Sequence, residues 1–118
     1  MVQRNVDKKC FSGGKNMIGK YEVVTLCGST RFKDDFNRVQ KELTLKGFIV
    51  ISVGSFGHSG DAVTDEQKTM LDDMHKRKID MADSIFVINK NGYIGKSTAS
   101  EIAYAENHGK TVTYMESC

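Results

Sequence analysis

From residue 21 onward the apolar positions alternate between two rhythms. YEVVTLCG (21–28) is a short β-branched run closing on glycine, which predicts a buried strand. Residues 29–47 then place Phe32, Phe36, Val39 and Leu43 at helical spacing and close on Gly47. FIVISVG (48–54) predicts a second strand. In 65–83, Met70, Leu71, Met74, Ile79 and Ala82 make a helical face. SIFVIN (84–89) predicts a third strand, 98–109 a helix stopped by Gly109, and KTVTYM (110–115) a fourth strand. Residues 1–20 carry little periodicity and contain SGGKN, so they read as a flexible N-terminal extension to a single domain over 21–118.

Strands alternating with helices across short loops predict right-handed βαβ crossovers. The expected fold is α/β, a Rossmann/flavodoxin-like three-layer arrangement with a parallel sheet of about four strands flanked by helices. Ligands of such sheets bind at the carboxyl ends of the strands. Three loops reach that edge: Cys27–Arg31, Gly54–Thr64 and Asn89–Thr98.

Composition narrows the partners. Seventeen basic against fifteen acidic residues give a net charge of only +2, with no basic stripe interleaved with aromatics, which argues against a nucleic-acid polymer. No apolar run approaches the ~18–20 residues that span a bilayer, so no membrane partner is expected. The N-terminus lacks an apolar export core, and three scattered cysteines predict reduced thiols and a cytoplasmic location. With no CxxC or Cys/His ligand spacing, no structural zinc is expected.

The predicted rim carries the chemistry. In CGSTR, Gly28 lets backbone amides approach a ligand, Ser29 and Thr30 offer hydroxyls, and Arg31 offers a fork suited to phosphate. The competing reading is a helix cap followed by a solvated arginine. Thr98-Ala-Ser-Glu101 fits a capping box, yet a carboxylate beside an anomeric carbon is also a nucleophile. His75, four residues from both Leu71 and Ile79, reads first as a packing histidine. Asp73, Arg77 and Asp80 read as an ion-pair ladder on one helix face. Asp83 is expected at the opposite sheet edge in a turn or cap role. His58 is a loop residue over the rim within reach of a base, and His108 fits a helix C-terminal cation.

Together VVTLCGSTRF, HKRKIDMADSIFVIN and GYIGKSTASEIAYAENHGKTV resemble the nucleoside 2-deoxyribosyltransferase-like family, which includes the deoxynucleoside 5′-monophosphate N-glycosidases. The similarity runs from about Glu22 to Tyr114. It implies that Glu101 is the nucleophile of a covalent deoxyribosyl intermediate and that Gly28, Ser29 and Arg31 cradle a 5′-phosphate. Thr30, His58, Gly95, Ser97 and Thr98 complete the implied substrate-binding set. Where the family carries an aspartate beside the leaving base, this chain has His75, with Asp80 the nearest following acid. The turn before the nucleophile is KSTAS rather than glycine-rich, adding Lys96. The implied ligand is one small nucleotide or nucleoside, the implied assembly a homodimer, and the implied reaction requires neither a metal nor another cofactor. The alternative expectation is a module of the same fold that binds or senses a nucleotide without turning it over.

Overall fold

A computed structural model describes residues 19–54 and 62–116. Most of the expected N-terminal extension, and His58, lie outside the described residues. Four strands, β1 (Val23–Gly28), β2 (Ile49–Ile51), β3 (Ser84–Ile88) and β4 (Thr111–Tyr114), form one parallel sheet in the order β2-β1-β3-β4. Three helices connect them: α1 (Lys33–Leu45), α2 (Asp65–Asp80) and α3 (Lys96–Asn107). This is the α/β three-layer arrangement expected from the pattern. Among the described residues no helix is long and apolar enough to cross a membrane.

Strand alternation sorts the core into two halves. Val24, Leu26 and Ile88 turn to one face and pack with Phe36, Val39 and Leu43 of α1. Cys27, Ile85 and Val87 turn to the other, against Ile79 of α2 and Ala105 of α3. The period of two along each strand dictates this division. Polar latches seat α2 on the sheet. Buried Thr25 donates its hydroxyl to the Lys78 carbonyl at 2.9 Å, and Lys78 Nζ donates to the Ser52 carbonyl at 2.9 Å.

Three expectations shift. The first predicted helix opens as a 3-10 turn, Thr30–Phe32, because the Ser29 hydroxyl accepts from the Arg31 amide before α1 begins. The inner face of α2 is Leu71, His75 and Ile79, continued by Ala82 just past its end, while Met70 and Met74 are 52% and 39% exposed. Including Met70 and Met74 in the expected face moved it about one residue, or ~100°, around the helix. The last helix starts at Lys96 with Gly95 as its N-cap, so Thr98 is in the helix's first turn and is not its cap.

At the amino end of the sheet Asp83 behaves as expected. Its carboxylate accepts from the Val23 amide at 2.9 Å, and its own amide donates to the Val23 carbonyl at 2.8 Å. At the carboxyl end, β1 and β3 stay in register to Gly28 opposite Ile88. A Cβ on Gly28 would lie 2.8 Å from the Ile88 carbonyl oxygen, so any side chain forces the strands apart. Gly28→Ala is expected to destabilise the protein by about 1–3 kcal/mol in urea unfolding. Gly54→Ala, with nothing within 4 Å of the added carbon, should change stability by under about 1 kcal/mol.

Candidate functional site

Beyond the carboxyl ends of β1 and β3 lies a cleft of about 240 Å³. Gly28, Ser29, Thr30 and Arg31 line it from the β1 side, and Gly95, Ser97, Thr98 and Glu101 from α3 and the turn before it. Eight residues singled out in the sequence therefore share one cleft. Lys68, Leu71 and Asp72 of α2, together with Val53, Tyr93 and Lys96, complete the wall.

The cationic end is held in place by its neighbours. Arg31 Nε donates to the Ser29 hydroxyl at 3.1 Å, and its guanidinium lies 4.5 Å from the centre of the Tyr93 ring. Arg31 Nη2 also reaches the Tyr93 hydroxyl at 3.4 Å. Tyr93 in turn meets Phe32 edge-on, with ring centres 6.0 Å apart. The loop that presents Tyr93 is pinned at both flanks: Lys90 Nζ lies 3.3 Å from Asp35, and the Asn91 amide donates to Glu116 at 3.1 Å. Ser29 therefore does cap its turn, as the simpler reading held, while the same hydroxyl orients Arg31. The N-terminus of α3 faces the same space with glycine as its cap and no side-chain cap bond, which favours an anion there.

Glu101 occupies a different environment. With α3 beginning at Lys96, it lies in the second turn, beyond the reach of a capping box. The capping explanation therefore fails on register. Its carboxylate is largely buried beside Cys27 of β1 and His75 of α2. Cys27 Sγ lies 3.4 Å from His75 Nε2, and His75 Nε2 lies 3.8 Å from Glu101 Oε1. Burial pushes the Glu101 carboxyl up to about 7, although the Cys27 thiol hydrogen-bonds it and lowers it in part. Burial also lowers the His75 ring to about 4, with Lys78 adding to the effect. Burial and the neighbouring Glu101 raise the Cys27 thiol well above its ordinary range. With the ring neutral near pH 7, their contact there is not between two charges.

His75 is 6% exposed and sits behind Glu101, not on the cleft wall, which agrees with its packing reading. Its ring, lowered to about 4 by burial, is neutral near pH 7. Asp80 is not part of the cleft either. It lies at the other end of α2, bonded to the Tyr104 hydroxyl at 2.7 Å and to Arg77 at 3.0 Å. Asp73 completes that surface ladder 4.0 Å from Arg77. His108 ends α3, its Nδ1 2.8 Å from the Tyr104 carbonyl and its ring stacked on Tyr104.

Sequence reasoning missed Asp72, Lys68, Tyr93 and Cys27. Lys68 and Asp72, 3.6 Å apart, form an i,i+4 pair whose cleft side depends on the true phase of α2. Cys27 was findable from strand alternation, two positions after Thr25 on the α2/α3 face. A second hollow of about 280 Å³ adjoins the first, lined by Asp72, Lys76, Lys96, Ser97, Ser100 and Glu101. Asp72, Lys96, Ser97 and Glu101 line both, so they mark the junction.

Compared with family models, curated proteins and solved structures, the chain finds no match.

A carboxyl with a raised pKa in the folded protein holds its proton after the unfolded chain has lost its own. Stability therefore falls as pH rises from about 4.5 to about 7, through this group. In urea unfolding of the metal-free protein with chelator present, Glu101→Gln should gain on the wild type across that window. The gain is expected to level off above it, at on the order of 3 kcal/mol. A constant difference between pH 5 and pH 8 would contradict it.

Proposed function

We propose that the protein cleaves the N-glycosidic bond of a deoxynucleoside 5′-monophosphate, or exchanges its base, with Glu101 as nucleophile. One observation carries this reading: a single cleft has a braced cationic cradle at one end and a buried carboxylate at the other. Arg31, Ser29 and the α3 N-terminus suit a phosphate. The first hollow then takes phosphate and sugar, and the base extends into the second. The glycosidic bond falls at their junction, where Glu101 and Asp72 both stand.

In this mechanism Glu101 attacks C1′ as the C1′–N bond breaks and the electron pair leaves with the base. Asp72 is the carboxyl that contacts the departing base, in the role the resemblance placed at His75. Water then attacks C1′ of the sugar ester and regenerates the carboxylate, or a second base does so in exchange. A cytoplasmic homodimer belongs to the same reading, supported by the family resemblance and the scattered cysteines.

A second reading draws support from His75, which lies behind Glu101 with a neutral ring and so offers no proton to a leaving base. That reading is a nucleotide-binding or sensing module without turnover.

Incubation with each deoxynucleoside monophosphate, followed by chromatography of free base, separates the two. Release that falls about 10³-fold or more in Glu101→Ala supports the enzyme, and undiminished release there refutes it. Saturable binding without release supports the sensor. For the enzyme, Arg31→Ala should raise KM for the monophosphate about tenfold or more and leave the unphosphorylated nucleoside unaffected. Asp72→Asn should lower kcat with little change in KM.

A further inference from the structure

Behind the cleft wall three metal-ligating side chains converge from three elements. Cys27 comes from the end of β1, His75 from the middle of α2 and Glu101 from the second turn of α3. One ligand atom from each lies within 4.8 Å of the others. We propose that Cys27 Sγ, His75 Nε2 and Glu101 Oε1 bind a single divalent cation of the zinc class.

The geometry is close to what such an ion requires. Tetrahedral zinc with ordinary bond lengths holds sulfur and imidazole nitrogen about 3.6 Å apart, and nitrogen and carboxylate oxygen about 3.4 Å apart. The corresponding separations are 3.4 Å and 3.8 Å, and all three ligand atoms lie within 4.8 Å of one another, so side-chain shifts of about an ångström suffice. Thiolate, imidazole and carboxylate form a borderline-soft set that favours zinc over magnesium or calcium. The His75 ring is tied to the Leu26 main chain, an outer-shell bond of the kind that orients a ligating imidazole. Cys27 and His75 are buried, while Glu101 reaches the cleft, which supplies the entry path and leaves the fourth position facing it.

As the metal binds, the Cys27 thiol proton and the proton held by the Glu101 carboxyl pass to solvent, and the thiolate and carboxylate charges balance the cation. Glu101 then gives its electron pair to the metal. If it is also the nucleophile of the proposed reaction, occupancy and turnover exclude each other. The site itself does not depend on that reading, because it rests on the three ligand atoms alone.

The test is titration of the purified full-length protein with cobalt(II) chloride, and with zinc chloride against a chelating dye. One equivalent should bind, with a thiolate-to-cobalt charge-transfer band, and zinc should displace the cobalt. Cys27→Ser, His75→Gln and Glu101→Gln, each shown folded by circular dichroism, should weaken zinc binding about tenfold or more. Asp73→Asn on the outer face of α2 should not. Absence of the charge-transfer band in the wild type overturns the proposal even if every variant misfolds, and so does unchanged affinity in folded variants. Absence of base release from chelator-treated, metal-free protein that still binds zinc in a separate titration would refute the glycosidase reading alone.

Discussion

The chain changes its direction of travel across the sheet between β1 and β3, and the cleft exists because of that reversal. From β1 it moves outward through α1 to β2, then returns over β1 through α2 to reach β3 on the other side. Right-handed crossovers put α1 on one face and α2 and α3 on the other. The segments leaving Gly28 and Ile88 therefore diverge, and the edge between them stays open as a binding crevice. The 2.8 Å space between a Cβ at Gly28 and the Ile88 oxygen shows how tightly the strands approach there.

That constraint also explains the buried polar cluster. Cys27 is the last inward-facing residue of β1 on the α2/α3 side, next to the apolar set of Ile79, Ile85, Val87 and Ala105. His75 sits one turn above Ile79 along α2, and Glu101 one turn before Ala105 along α3. Three polar side chains thus form the top layer of an otherwise hydrocarbon core, where it gives way to the cleft. Burial is the largest influence on all three, favouring their uncharged forms.

Strand and helix positions were legible because hydrophobic periodicity survives in each element. The strands closing on Gly28 and Ile88, and the helix carrying Phe36, Val39 and Leu43, fall where the pattern puts them within a few residues. The GSTR and SerThr-Ala-Ser-Glu segments were legible as a joint rim because topology follows from element order. Side-chain phase was not. Met70 and Met74 turned the expected face of α2 away from Asp72, while Asp80 was named only as the acid nearest after the position the resemblance assigns at His75. Glu101 resembled a cap because Thr98 stands three residues before it, and only the helix start at Lys96 separates the two roles. Cys27 and His75 are 48 residues apart, so no local spacing could connect them.

The distribution of charge around Glu101 gives the site its direction. Lys68 and Lys76 pull its pKa down while Asp72 and burial push it up, and the balance leaves the carboxyl near neutrality. An incoming phosphate would oppose its ionisation, so the anion must be held where other cations compensate it. In the proposed reaction Arg31, locked by Ser29 and Tyr93 on the β1 side, would do this away from the buried cluster. Lys96, at the first turn of α3, lines both hollows. Coulomb interactions at this partly buried junction are stronger than in bulk water, so Lys68, Lys76 and Asp72 all weigh on the ionisation of Glu101.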